Sequence, residues 1–340
     1  MPQAPYRVPL PPQEPPRLTV LIDVEEEFDW EAPFDRANTA TSAVSELGRA
    51  VDVLAERGLV PVGVVSYPVA ADPESARCLR AFVEDGRLQV GAHLHPWVCP
   101  PHEEVVSDEN SFPGNLDADL EERKLAALTD AIEQAVGQRP RVYQAGRYGL
   151  GAGTFDALLR QGYVVDMSRS PGFDYREEGG PDFRRDDNAP RWTEGGLLTL
   201  PVTGAYTGAL HGAGPVLFPL AQSLAGLKVP ALLSRSGLLE RQRLSPEGHG
   251  LSDMQRLTQA LHRQGHRVFC LSFHSPSLAP GHTTYVETES QRDAFVRLLG
   301  DYVRWFQDEL GGEAATPLSL HEDFVDRFPP PARQAPEAPA

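Results

Sequence analysis

The chain has 340 residues, with 31 Lys and Arg against 48 Asp and Glu and a formal charge of −17 at pH 7. That balance argues against nonspecific binding to nucleic acid or an anionic membrane, which would repel the protein as a whole, while the length suits one large α/β domain with an ample core. No window reaches the roughly 18 apolar residues of a membrane span, and the Pro-rich N-terminus carries no apolar signal core, which reads as a cytoplasmic protein. Cys78, Cys99 and Cys270 lack CxxC spacing, which speaks against a disulfide framework or a cysteine-based zinc site.

Residues 1–16 and 329–340 are rich in Pro, Ala and Gln and read as disordered tails, leaving 17–328 as a single folded domain. Inside it, apolar runs alternate with amphipathic stretches, the pattern of βα units around a parallel sheet. A strand over 18–22 leads into Asp23-Val24-Glu25, and a helix over 41–57 follows with Val44, Leu47, Val51 and Leu54 on one stripe. Next come a strand over 60–65, a helix over 73–85 and a strand over 88–95. A polar loop over 96–115 is long enough to serve function. It leads to a helix over 117–136, a strand over 141–145, a helix over 153–160 and a strand over 163–166.

From 168 to 201 the periodicity fails, giving an irregular substrate-side excursion that closes on a strand over 197–202. The stretch 204–250 reads as an insert or lid with candidate helices over 217–227 and 229–239. Ser252-Asp253-Met254-Gln255 and Thr288-Glu289-Ser290-Gln291 read as capping boxes, the first opening a helix to Gln264 and the second a long last helix. A β-type run over 267–273 lies between them, and a short strand near 318–320 closes the sheet.

Side chains on a strand alternate faces with period two, so His93 and His95 point one way and so do Asp23 and Glu25. Two strand ends therefore bring together a His-His-carboxylate ligand set and a spare carboxylate, which is what a metal-assisted hydrolase needs. Arg147 and His274 follow further strands, and in barrel enzymes such ends converge on one mouth. The acidic run continues with Glu26, Glu27 and Asp29; alternation puts Glu27 behind Asp23 and leaves Glu26 a solvated charge. Trp97 reads as a wall for a sugar ring or as plain packing, and Tyr148, Asp166, Asp174 and Tyr175 as mouth-side substrate contacts. Cys99 reads as a reduced structural thiol. No Gly-rich phosphate loop, GxSxG elbow or Cys/His nucleophile pattern occurs.

Four segments, Asp23-Val24-Glu25, Gly91-Ala92-His93-Leu94-His95-Pro96-Trp97, Ala145-Gly146-Arg147-Tyr148-Gly149 and Leu271-Ser272-Phe273-His274-Ser275-Pro276, together resemble the polysaccharide deacetylases of the NodB-homology type. These are carbohydrate esterase family four, and the likeness extends to their WalW-like branch linked with lipopolysaccharide biosynthesis. The resemblance implies a distorted (β/α) barrel of about seven strands, a divalent metal ion such as zinc, and hydrolysis of an N-acetyl or O-acetyl group from a sugar. It makes Asp23 the base, Glu25, His93 and His95 the metal ligands, Arg147 the residue that orients the base, and His274 the general acid. A backbone N–H after His95 or near Arg147 would help hold the oxyanion. The family spaces its two histidines by three residues where this chain has only Leu94, which keeps His102 as an alternative ligand; Gln144 is the alternative to Arg147. Two rival readings are a metal-dependent hydrolase of small linear or cyclic amides on the same fold, and a noncatalytic scaffold.

Overall fold

The computed structural model describes residues 2–30 and 32–331. Its strands in chain order are β1 (Tyr6–Arg7), β2 (Arg17–Val24), β3 (Val62–Val65), β4 (Gln89–Leu94), β5 (Val142–Ala145), β6 (Val165–Asp166), β7 (Arg191–Trp192), β8 (Leu198–Thr199), β9 (Gly204–Thr207), β10 (Glu240–Arg243), β11 (Val268–His274) and β12 (Glu313–Ala314). The main sheet runs β1-β7-β8-β6-β5-β4-β3-β2-β11. From β8 to β11 all seven strands are parallel, while β1 and β7 pair antiparallel at one edge. Parallel strands are covered on both faces, and β2 accordingly buries every residue after Arg17.

The sheet curls, and single residues rather than strands bridge the gap between β8 and β11. Thr203 N–H donates to Cys270 O at 3.2 Å, Leu244 N–H to Thr203 O at 2.8 Å, and Ser272 N–H to Leu244 O at 3.0 Å. This is the distorted (β/α) barrel of about seven strands that the sequence predicts.

The helices between the strands are α1 (Leu47–Ala55), α2 (Tyr67–Ala71), α3 (Pro73–Glu84), α4 (Ala118–Val136) and α5 (Thr154–Gln161). The Asp117 side chain caps α4, and Gly137, at φ 75°, takes the left-handed position that ends it. On α4 the fully buried Lys124 reaches the loop after β4: its Nζ donates to Pro96 O at 3.0 Å and Cys99 O at 2.6 Å and pairs with Glu104 at 2.9 Å. A buried ammonium persists only when paired and hydrogen-bonded, so this cluster fixes the loop that carries His95 into the barrel mouth.

Three expectations change. Residues 2–16 are an ordered arm: β1 pairs with β7, Val8 is 2 % exposed with its N–H on Pro190 O at 2.9 Å, and Arg267 Nε holds Pro12 O at 2.9 Å. Composition measured what this segment can bury by itself, whereas an unpaired sheet edge supplies its partners. The tail expected from 329 lies outside the described residues beyond Pro331.

The strand expected over 318–320 is instead helical, within α10 (Pro317–Arg327), the last of five further helices that begin α6 (Gly214–Gln222), α7 (Val229–Arg235), α8 (Leu251–Arg263) and α9 (Glu289–Asp308). Thr316 caps α10 by accepting from Ser319 N–H, with Pro317 in the first turn; β12, just upstream, fills the edge of β2 instead. The box before α8 is offset, because Gly250 is the cap and Asp253 accepts from its N–H at 3.0 Å. The insert expected over 204–250 is present as a β9–β10 hairpin, with α6 and α7, which overlap the two candidate helices, at its tip.

Candidate metal centre and active site

Strand register assembles the site. β11 pairs with β2 so that His274 lies beside Asp23, and β4 pairs with β5 so that His93 lies beside Gln144. Asp23, Glu25, His93 and His95 are all buried at the mouth, and the two rings lie 4.4 Å apart between centroids. Gly146 permits this approach, since a Cβ there would stand 2.4 Å from Leu94 O and 2.6 Å from the His95 ring.

Each imidazole is held from behind. His93 Nδ1–H donates to Gln144 O at 3.1 Å, and His95 Nδ1–H donates to Glu26 Oε1 at 2.7 Å. Those bonds fix the tautomers and leave both Nε2 lone pairs facing Glu25 Oε2, each at 3.5 Å. One ligand atom from each of Glu25, His93 and His95 lies within 4.8 Å of the others. Two imidazole nitrogens and a carboxylate oxygen, preoriented and buried, fit a divalent cation. Burial is the main cause that raises Glu25 to about 7, with His274 and His95 opposing it, and that lowers His93 to about 4, with the neighbouring His95 adding to it; at His95 the Glu26 carboxylate outweighs burial and raises the ring.

Beside this cluster stand Asp23, Gln144 and His274. Burial raises the pKa of Asp23, partly offset by His93 and His274. Gln144 lies against it; with the amide nitrogen turned toward the carboxylate it donates to Oδ1 at 2.8 Å and Oδ2 at 3.2 Å. His274 Nε2 is 3.5 Å from Asp23 Oδ2, and its Nδ1–H donates to Glu247 Oε2 at 2.9 Å. Glu247 Oε1 also accepts from the His274 backbone at 3.0 Å and from Ser277 Oγ at 2.6 Å. Burial disfavours the imidazolium, but Glu247 and Glu25 outweigh it and raise His274 to about 10.

These groups line a cavity of about 300 Å3 walled by Phe28, Trp30, Phe34, Tyr148, Tyr175 and Arg243. The structure brings together Asp23, Glu25, His93, His95 and His274, and Tyr148 and Tyr175 lie on the wall as expected. Exposed His102 stands outside the ligand cluster. Cys99 is a buried thiol.

Several assignments are corrected. Arg147 reaches the wall but turns away from Asp23: it stacks on Phe112 and Phe34, 4.2 and 5.0 Å from their centroids, donates to Ser111 Oγ at 2.5 Å and pairs with Glu178. The reason is backbone, since Arg147 and Tyr148 occupy the left-handed region at φ 52° and 60° and re-aim the side chain. Gln144, on β5, stands against Asp23 instead.

Trp97 is 1 % exposed and stacks behind His95 at 4.2 Å, so it braces that ring and offers no sugar wall. Asp166 is fully buried on Ser168 Oγ at 2.5 Å, and Asp174 is tied to Arg176 at 2.9 Å; neither lines the cavity. Neither Glu26 nor Glu27 takes its expected role: Glu26 is the buried carboxylate on His95, and Glu27 is no support for Asp23. β2 ends at Val24, so alternation does not extend to either residue, and Glu27 caps the turn after Thr41 by accepting from Ala43 N–H at 2.6 Å and Ser42 Oγ at 2.8 Å. Sequence reasoning missed Glu247 and Arg243, which arrive from the hairpin and the loop after it and carry no periodic signal.

No protein-family model matches the chain, and no curated protein does. Among solved structures it is similar to a Mycobacterium smegmatis protein described as a polysaccharide deacetylase, with a TM-score of 0.54 and 15% identity over 99% of each chain. A protein from Pseudomonas aeruginosa PAO1 with the same description gives a TM-score of 0.53 and 15% identity over 92% of each chain. Puue allantoinase gives 0.54 and 12% identity over 92% of this chain and 91% of its own. At these identities the likeness is one of fold, and the chain has the barrel fold of the NodB-type polysaccharide deacetylases.

Proposed function

We propose that the protein is a metal-dependent deacetylase that hydrolyses an acetyl or related acyl group from an amino sugar or surface-polysaccharide precursor. The observation that supports this most is the buried Glu25–His93–His95 cluster set beside Asp23 and His274 in one cavity. A divalent ion held by those three residues, with zinc favoured by the donor set, would supply Lewis acidity at the acyl carbonyl. Asp23, steadied by Gln144, takes the proton from the attacking water. The imidazolium of His274, held by Glu247, gives a proton to the departing amine. Aromatic walls suit the apolar faces of a sugar ring. The acidic balance and three free thiols support a cytoplasmic location, and no helix among the described residues is long and apolar enough to cross a membrane.

A cavity of about 300 Å3 is at the small end for ligand pockets, which keeps a small-amide hydrolase on the same barrel as the second reading. Metal analysis with acetate and ammonia release over a panel of N-acetylated sugars and small amides separates the two. The deacetylase reading expects one bound divalent ion and acetate from at least one sugar, with Asp23→Asn retaining metal and losing turnover. Protein that takes up no divalent ion, or Asp23→Asn with unchanged activity, sinks it.

A further inference from the structure

The cavity is electrically two-sided. Its floor is acidic, with Asp23 and Glu25 committed to His274 and to the ligand cluster, and Glu247 holds His274 from behind. Its wall holds Arg243, and among the described residues no carboxylate pairs with that guanidinium. Nη1 donates to Tyr148 Oη at 2.8 Å, and Nη2 donates to Ser170 Oγ and Tyr175 Oη, each at 2.7 Å. These acceptors are neutral, and the buried Nε–H has no hydrogen-bond partner. Arg147, the other cation on the wall, is already paired with Glu178.

Such a partner set is unusual for a guanidinium, whose five N–H donors match a carboxylate or phosphate. Packing explains its posture: β10 alternation puts Arg241 and Arg243 on one face, and each guanidinium lies 4.4 Å from the Phe173 ring, with Arg243 also 4.6 Å from Tyr148. The hydroxyls add to the effect. A hydroxyl that accepts from Arg243 must point its own proton elsewhere. Ser170 and Tyr175 share one such bond at 3.2 Å, while Tyr148, on the cavity wall, accepts from Arg243 and keeps its own proton to give. A guanidinium with no carboxylate partner, beside a phenol that still has a proton to give, is a place for an anion.

We propose that Arg243, with Tyr148, binds an anionic substituent of the substrate, a carboxylate or a phosphate on the acylated sugar, and so sets the enzyme's preference for acidic over neutral sugars. This rests on the deacetylase reading for its turnover but not for its binding.

The test compares N-acetylglucosamine with N-acetylglucosaminuronic acid and N-acetylglucosamine 1-phosphate, the two charged sugars separating the carboxylate from the phosphate source. The charged sugar that fits should exceed the neutral one in kcat/KM by about 10- to 100-fold, the range for a hydrogen bond to a charged group. In Arg243→Gln that ratio should fall to about 3 or less through KM. Arg243→Lys, which keeps the charge and loses the fork, should fall between.

Should none of the three sugars release acetate, turnover gives no readout and the anion site is read by binding. Glucuronate and glucose 1-phosphate, in EDTA to remove metal coordination, should raise the melting temperature of the wild type more than that of either Arg243 variant. An equal preference for neutral and charged sugars, a preference that survives Arg243→Gln in folded protein, or equal thermal protection of wild type and variants overturns the proposal.

Discussion

Glu247 grips His274 twice, accepting from its backbone N–H at 3.0 Å and from its ring Nδ1–H at 2.9 Å. The pair holds the imidazole with Nε2 toward Asp23 and raises its pKa to about 10. A raised histidine pKa means that its charged form stabilises the fold fully below the unfolded value near 6.5, and that this contribution is lost as pH rises through about 10. Glu247→Gln removes the charge that sustains the imidazolium. The alkaline limb of the kcat/KM profile should then move to lower pH, with activity at pH 9 reduced more than at pH 6. A profile unchanged in shape would separate His274 from proton donation.

Glu26, rather than Glu27, stands behind the metal cluster, with its Oε1 on His95 Nδ1 at 2.7 Å. Carboxylates that hold a ligating histidine from behind are worth roughly 10- to 100-fold in metal affinity. Glu26→Ala should weaken divalent-ion binding by that factor in a competition titration with a chelating dye. Glu27→Ala, which removes the cap on the turn after Thr41 and the contact with His282, should leave the affinity within about twofold.

The two histidines were legible because period two governs β4 up to Leu94, and Gly146 lets the neighbouring turn accept them. Asp23 and His274 were legible for a related reason, since both close parallel strands that pair in register. The same rule misled at Glu26 and Glu27, where the chain has already left β2 and the turn decides which carboxylate faces inward. Glu247 and Arg243 were invisible because 204–250 folds as a hairpin carrying two short helices, a pattern with no single period. The N-terminal arm was misread because Pro-rich composition says nothing about a sheet edge awaiting a partner.

Gln144 and Arg147 divide what one arginine was expected to do. Gln144 stands 2.8 Å from Asp23, whereas Arg147 is held by Ser111, Glu178 and two aromatic rings. Losing a hydrogen bond to a charged group costs about 1.5–3 kcal/mol, so Gln144→Ala should lower kcat roughly 10- to 100-fold with KM little changed. Arg147→Ala should act mainly on KM, since it alters the wall and not the base. Steady-state kinetics on both variants decides it: a larger kcat loss in Arg147→Ala would return the orienting role to the arginine.

Glu121, away from the site on α4, provides a pH test of the fold itself. It is 3 % exposed, accepts from Thr154 Oγ1 at 2.6 Å, and burial raises it to about 7. An acid raised in the folded state costs nothing below its unfolded value near 4.5; between there and about 7 stability falls, and above that the full cost is present. At about 1.4 kcal/mol per pKa unit the full cost is about 3 kcal/mol. Glu121→Gln keeps an oxygen for Thr154 and removes the ionisation. Its melting temperature should match the wild type near pH 4.5 and exceed it at pH 8 by several degrees. A difference that does not change with pH would mean that Glu121 ionises in the folded protein as it does in water.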